Sequence, residues 1–266
     1  MVKKSGRLYR AWTSILQASA LIEADLRKLR HDPFELITRM IQPIIWLLIF
    51  GQAMAKVRAI PIGENSYLDF MAPGILAQSV LFVGIFYGIS LIWERDIGIL
   101  QKILVSPVPR VILILARGIS GGIRSLSQVF IIYALSFFLG IHLRFDVFAL
   151  LGVCAMVMLG GAIFSTFSLT AAAIVKKRER FMGIGQVLTM PLFFASNALY
   201  PINLMPDWLK TLSLFNPLTY QVDALRCLMI VDEVSHFGLG FDFGITLVVL
   251  CLALAIATPI YPRILY

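Results

Sequence analysis

The feature that most constrains the fold is a succession of apolar runs, each of a length suited to crossing a lipid bilayer. A membrane-spanning helix needs about 20 mostly apolar residues. Such runs lie at about 34–55, 68–92, 111–140, 147–174, 182–199 and 241–262. They are continuous and lack the strict alternation of a membrane-embedded β-barrel, so helices are expected. The sequence therefore predicts an all-α integral membrane protein with six transmembrane helices.

The composition is that of a membrane protein and argues against nucleic acid as a partner. Hydrophobic residues make up 59% of the chain and charged residues 14%, against about 25% charged in soluble domains. The net charge of +8 would suit a nucleic-acid-binding protein. However, the basic residues cluster at the ends of the apolar runs, where membrane topology explains them. We therefore expect no nucleic-acid partner, and the three cysteines have no spacing that predicts a metal site.

The distribution of lysine and arginine predicts the orientation. The segment 1–32 carries seven of them, and 93–117 and 176–180 carry four each. The loops that would lie on the other side hold five: Lys56, Arg58, Arg144, Lys210 and Arg226. Because cytoplasmic loops are enriched in basic residues, we expect both termini in the cytoplasm and a multi-pass protein of the cell inner (plasma) membrane.

The first 32 residues are predicted to form a cytoplasmic amphipathic helix rather than a span. Apolar side chains recur there at spacings of three and four, with Trp12 at the depth of the lipid headgroups. Pro33 then begins the first span, and Pro43 is expected to kink it. We divide the chain into this interface helix, 1–32, and a six-span domain, 33–266.

The polar stretch 93–110 separates the second and third spans. It is rich in charge, and Pro107 and Pro109 prevent a helix from continuing, so the chain turns there. Apolar residues at 97, 99, 100, 103 and 104 suit a short helix with one apolar face, which would lie on the membrane or against a partner.

A second interrupted stretch, 197–226, precedes the last span. It is moderately apolar, but three prolines break it, so it is unsuited to crossing the bilayer. We predict short re-entrant or interfacial helices on the outer side.

Two arginines lie within the third apolar run. Arg117 and Arg124 are seven residues apart, which places them on one helix face about 10 Å apart. Arginine inside a membrane is costly and indicates function. For Arg117 we favour an alternative, in which the side chain extends to the inner headgroups; Arg124 lies deeper.

The sequence offers little enzymatic chemistry. It contains no Gly-Lys pair, which excludes a phosphate-binding P-loop. Ser120 lies in a G-x-S-G pattern typical of intramembrane serine proteases, yet the three histidines lie in tails or loops, where they are poorly placed to activate it. We interpret Gly118 and Gly122 as a helix-packing motif and keep a Ser120 hydrolase as a distant alternative.

Two stretches carry a resemblance to a known family. The first is Glu94-Arg95-x-x-Gly98-x-Leu100-x-Lys102 followed by Leu104 to Arg110; the second is Phe194 to Pro201, then Met205-Pro206-x-Trp208-Leu209, Asn216 to Tyr220 and Asp223-x-x-Arg226. Together with six spans and an amphipathic N-terminal helix, they cover nearly the whole chain. The chain resembles the ABC-2 type permeases, the membrane subunits of ABC exporters, and is most similar to their daunorubicin-resistance branch. Asn197 stands where the family frequently has glycine.

The resemblance implies an exporter subunit for an amphipathic drug, lipid or lipid-linked molecule, with a polysaccharide or lipid-linked glycan exporter as the alternative. A separate ABC ATPase would bind Mg-ATP, so this chain would hold no cofactor itself and would not be an enzyme. Two copies, or one copy and a relative, would form the pore. The implied ATPase-coupling residues are Glu94, Arg95, Gly98, Leu100, Lys102 and Pro107. The implied outer-gate residues are Phe194, Ser196, Pro201, Pro206, Trp208, Asn216 and Pro217.

Overall fold

A computed structural model describes residues 16, 19–20, 22–25, 27, 38, 41–57, 66–105, 109–175, 177–231 and 233–265. Every regular element in these ranges is a helix, apart from an isolated antiparallel bridge between Leu143 and Ile230. Most of the predicted interface helix 1–32, together with Trp12, Pro33, Pro107 and Lys176, lies outside the described residues. The described residues between 16 and 27 are helical.

Nine α-helices can be followed through the described ranges. The first, α1, covers residues 41–57 and takes a π-helical turn at Trp46–Gly51, shortly after Pro43. The others are α2 (Tyr67–Asp96), α3 (Ile99–Val105), α4 (Arg110–Leu139), α5 (Val147–Val175), α6 (Arg178–Phe194), α7 (Asp207–Phe215), α8 (Pro217–Met229) and α9 (Leu239–Ile260). Short 3-10 helices follow at Ile202–Leu204 and Tyr261–Leu265.

Among the described residues, four helices are long and apolar enough to cross a membrane: α2, α4, α5 and the continuous segment Leu239–Ile264 that begins with α9. Their bounds agree within a few residues with the second, third, fourth and sixth predicted spans. Helix α6 has 17 residues, and the apolar part of the described α1 is Ile41–Met54. Both are shorter than the other four, so the total of six spans stays a prediction.

Small residues allow α5 to pack closely against both α2 and α4. A Cβ atom added at Gly84 of α2 would lie 2.5 Å from the Phe164 Cβ of α5. A Cβ at Gly122 of α4 would lie 2.6 Å from the Met158 carbonyl oxygen. The backbones therefore approach as small-residue motifs permit. The packing interpretation of Gly118 and Gly122 is confirmed.

The bundle has two ends with different chemistry. One end, which we call the basic end, comprises the described residues of 93–110 and 177–180, and it adjoins a core cluster that includes Tyr87, Leu100 and Tyr261. The opposite end comprises 140–146 and 195–238. A larger core cluster includes many residues of α2 and α5, together with residues of α8 towards the opposite end.

Candidate functional site

A buried cluster of charged and hydroxyl side chains lies at the basic end. Arg117 of α4 is 1% exposed and Glu94, in the last turn of α2, is 5% exposed. The Arg117 Nη2 donates to Glu94 Oε2, and its Nη1 donates to Glu94 Oε1 at 3.1 Å. This two-point contact is the planar geometry in which guanidinium and carboxylate groups bind most strongly.

A second carboxylate completes the cluster. Arg117 Nη1 lies 3.4 Å from both carboxylate oxygens of Asp25, and the Tyr87 hydroxyl donates to Asp25 Oδ2 at 2.7 Å. Tyr261, from the last 3-10 helix, is buried beside them. One guanidinium thus connects α4, the end of α2 and the helical residues around Asp25. We call these five side chains the charge cluster.

The charge cluster corrects one expectation from the sequence. Arg117 does not extend to the headgroups, because its charge is neutralised by buried carboxylates within the chain. Glu94, which the resemblance implied as an ATPase-coupling residue, is buried with its carboxylate bound to Arg117. Sequence reasoning missed Asp25 and Tyr87, which carry no motif. Only the cost of an unpaired intramembrane arginine indicated that Arg117 needed partners.

Arg124 lies two turns further along α4 and is partly buried. Its guanidinium carbon lies 5.5 Å from the centre of the Tyr87 ring, within the range of a cation–π contact. The two arginines therefore share a helix face, as predicted, and both lie near Tyr87.

A surface ion pair ties the polar stretch to the start of α6. Arg178 Nη2 lies 2.8 Å from Asp96 Oδ2, and the guanidinium lies 3.7 Å above the centre of the Trp93 ring. Asp96 also accepts from Arg95 at 2.7 Å. The predicted coupling residue Arg95 thus lies in an ion-pair network at the surface. Arg178, which the sequence indicated only as one of the basic residues of 176–180, fixes this network to a second helix.

Gly98 sets the direction of the short helix α3. It ends α2 with a positive φ of 75°, a left-handed conformation that glycine adopts readily and other residues adopt at a cost. Beyond the turn, Leu100 is fully buried in the core, whereas Lys102 is exposed and Val105 is 86% exposed. Ile97, at the turn, is also exposed. This predicted coupling segment therefore presents apolar side chains outwards while Leu100 anchors it.

The predicted gate residues at the opposite end fall into buried and exposed groups. The side chains of Ser196 and Asn216 are buried and donate to backbone carbonyl oxygens. Ser196 Oγ donates to the Phe193 carbonyl at 2.7 Å, and Asn216 Nδ2 donates to the Leu192 carbonyl at 2.6 Å. The side-chain oxygen of Asn216 also accepts from the Leu218 amide at 3.0 Å, which caps α8. These two side chains therefore fix the turns on either side of α7.

The exposed members of this group are Phe194, Pro206 and Trp208, of which two are aromatic. Trp208, in the first turn of α7, and Phe194, the last residue of α6, are both exposed. The Phe194 ring also lies 6.4 Å from Trp46 of α1, whereas its neighbour Phe193 is fully buried. The prolines occupy helix starts: Pro201 precedes a 3-10 helix, Pro206 precedes α7, and Pro217 begins α8.

Arg226 of α8 connects several elements at the opposite end. Its Nη2 donates to the Asn197 carbonyl at 2.8 Å, and its guanidinium lies 3.8 Å above the Phe70 ring of α2. Burial lowers the pKa of Arg226 to about 10, although the nearby carboxylates of Asp223 and Glu233 oppose this shift. The group therefore stays charged at neutral pH and joins α8 to α2.

Ser120 lies in a closely packed part of α4 and lacks the surroundings that a catalytic nucleophile needs. It is buried in α4 about 15 Å from Arg110 by helical rise. His142 and His236 belong to the opposite end, beyond the last residue of α4, and His31 lies outside the described residues. Within the described part of the chain, no histidine is near enough along α4 to accept the serine proton.

Comparison with known proteins agrees with these features. A family model described as ABC-2 type transporter matches residues 16–230. The chain is 32% identical over 216 residues to a protein of Cyanophora paradoxa named as a transport permease, ycf38, covering 80% of this chain and 74% of that protein. It is 25% identical over 244 residues to the daunorubicin resistance ABC transporter permease protein DrrB1 of Streptomyces coeruleorubidus. This alignment covers 88% of this chain and 81% of that protein.

A third relative is the inner membrane transport permease YadH of Escherichia coli K12, 25% identical over 230 residues, with 82% of this chain and 86% of that protein covered. The range matched by the family model includes α2 to α8 and both stretches that carried the resemblance. Because the family model matches well over half of the chain, the protein belongs to the ABC-2 type transporter family, whose members include drug-resistance ABC permeases.

Proposed function

We propose that the chain is the permease subunit of an ATP-driven exporter, whose separate ATPase docks at the basic end. The observation that carries this proposal is the geometry of α3. It is a short helix that presents apolar side chains outwards and is anchored through Leu100. Exposed apolar surface on a fixed element is typical of a protein interface. The permease would span the inner (plasma) membrane six times, with both termini in the cytoplasm.

The charge cluster supports a route by which docking would reach the spans. Glu94 lies four residues before Gly98, so a force on α3 acts on the last turn of α2. The Arg117 pair would pass that movement to α4 and to the segment around Asp25. In this proposal Glu94 is a positioning residue that acts through Arg117, and Arg95, Lys102 and Pro107 belong to the docking segment.

The opposite end would form the outer gate. Asn216, Ser196 and the three prolines shape the turns around α7, while Phe194 and Trp208 are the exposed aromatic groups. Helix α9 is mostly exposed along its length, which suits contact with lipid or with a second permease copy. We propose a pair of permeases, identical or related, as the transport unit.

The docking proposal is tested with two matched substitutions. Val105 of α3 and Val234 of the opposite end are 86% and 84% exposed. We expect Val105→Asp to abolish co-purification of the permease with the ATPase encoded beside its gene, because a charge enters the apolar contact. Val234→Asp should leave co-purification unchanged. Equal binding by both variants would contradict docking through α3.

Transport is tested in proteoliposomes that contain the permease and its ATPase. Daunorubicin is the first probe, because the name of the Streptomyces relative links that protein to daunorubicin resistance. ATP-dependent movement of daunorubicin or of a fluorescent lipid would support export of an amphipathic substrate. Movement of a lipid-linked glycan instead would favour the alternative. Absence of all three activities would contradict the proposal.

A further inference from the structure

A cleft opens between α1, α2 and α4, within the thickness of a bilayer. Its volume is about 330 Å3, near the lower end for sites that hold drug-sized molecules. Gln128 lies eighteen residues after Arg110 in α4, about 27 Å along the helix. The described residues that line the cleft are Thr38, Gln42, Pro43, Ser79, Phe82, Val83, Phe86 and Gln128.

Gln128 is the feature of this cleft that packing leaves unexplained. It is 0% exposed, and its Oε1 has no hydrogen-bond partner among the described residues, while its Nε2 has a long contact of 3.4 Å to Ser127. A buried acceptor without a donor is costly, and more so where no water is available. A ligand that brings an N–H or O–H group to the wall of the cleft would remove this cost once the Gln128 side chain rotates so that Oε1 faces the cleft.

The other walls define the rest of such a ligand. No charged side chain is among the described lining residues, and an ion held without a countercharge would be strongly disfavoured. A neutral head group therefore fits the described lining residues. Phe82 and Phe86 of α2 lie stacked with their ring centres 5.9 Å apart, and they offer an apolar surface to a hydrocarbon or aromatic portion.

We propose that this cleft binds the head of an amphipathic molecule that is neutral and carries a hydrogen-bond donor, such as a primary amide or an alcohol. The donor would reach Gln128 Oε1, and the apolar part would lie along Phe82 and Phe86. This inference rests on the proposed function, because it assigns the class of substrate that the exporter would accept from the bilayer.

The test uses three probes with the same label and chain: 12-(1-pyrenyl)dodecanamide, 12-(1-pyrenyl)dodecanoic acid, and 1-dodecylpyrene. Binding to the purified permease in nanodiscs is measured by energy transfer from tryptophan to pyrene, after subtraction of empty nanodiscs. Binding is measured at about pH 9, where the acid is ionised, and we expect the amide to bind more tightly than the acid. Gln128→Leu should weaken amide binding roughly fivefold, the value of one net hydrogen bond, and leave dodecylpyrene unaffected.

Two further variants separate binding from folding. Gln78→Leu makes the same change at a buried glutamine of α2 that does not line the cleft, and it should bind all three probes as the unmodified chain does. Gln128→Asn keeps an amide side chain but shortens it by one methylene group, which moves the acceptor oxygen away from the cleft. If Gln128→Leu fails to fold, Gln128→Asn should show the same loss of amide binding.

Amide binding unchanged in Gln128→Asn, or equal binding of acid and amide by the unmodified chain, would overturn the inference. Neither result would bear on the exporter proposal, because the assay contains no ATPase. Conversely, failure of the permease to associate with an ATPase would contradict the proposed function, whereas the binding assay would still test the cleft.

Discussion

Replacing Arg117 by glutamine should destabilise the protein severely. The substitution keeps a polar side chain but removes the guanidinium charge that Glu94 and Asp25 share, and their side chains are only 6% and 7% exposed. Breaking a buried ion pair on one side typically costs about 3–5 kcal/mol. For a chain of this size we expect the Tm to fall by on the order of 10 °C.

The assay is thermal unfolding followed by tryptophan fluorescence in detergent, with Arg178→Gln as the matched control. The Arg178–Asp96 pair is also at the basic end, but its side chains are 35% and 36% exposed. Partly exposed pairs contribute about 1 kcal/mol or less, so the control should shift the Tm little. Adding Glu94→Gln to Arg117→Gln should restore part of the lost stability, because one buried charge is removed. Equal shifts for Arg117→Gln and Arg178→Gln would refute this reasoning.

Three other predictions follow from local geometry. Gly74→Ala should lower the Tm because its Cβ would lie 2.9 Å from the carbonyl carbon of Ala198, whereas Gly244→Ala, with open space around it, should not. Asn216→Ala should cost about 1–2 kcal/mol through loss of the α8 cap, measured by the same unfolding assay; no change would contradict the cap. Ser120→Ala should transport as the unmodified chain does in proteoliposomes, and loss of activity with normal folding would revive the hydrolase alternative.

The long spans were predictable because bilayer thickness sets a length that continuous apolar runs reveal directly. The bounds of α2 and α5 agree closely with the predicted ranges 68–92 and 147–174. Glycine pairs likewise indicated close packing without any structural information. Helix α6 was harder to place: Pro191 lies within it, and the helix ends at Phe194, five residues before the predicted limit.

The charge cluster was beyond prediction from local pattern. Glu94 and Asp25 bind Arg117 across 23 and 92 residues of sequence, and Tyr87 donates to Asp25 across 62 residues. Only tertiary packing decides which carboxylate meets which cation. The sequence therefore indicated that Arg117 was unusual but suggested the wrong explanation. Gly98 was singled out by the resemblance, and its positive φ now supplies a physical reason for glycine at that position.

The position of Glu94 also changes how its role should be tested. Because its carboxylate lies inside the bundle, a substitution there removes no group from the exposed surface of α3. Any effect on a docked ATPase would therefore pass through Arg117 and the ends of α2 and α4. A substitution at Glu94 therefore tests how movement passes from the docking site to the spans. The substitution at Val105 tests docking itself.

The most direct measurement is the ATP hydrolysis rate of the purified permease–ATPase complex with and without Glu94→Gln. If the chain is a permease driven by an ATPase at its basic end, both forms should co-purify with the ATPase, and the hydrolysis rate of the complex should change with the substitution. The rate of the free ATPase provides the baseline. Failure of the unmodified chain to associate, or identical rates for the two complexes, would contradict the account.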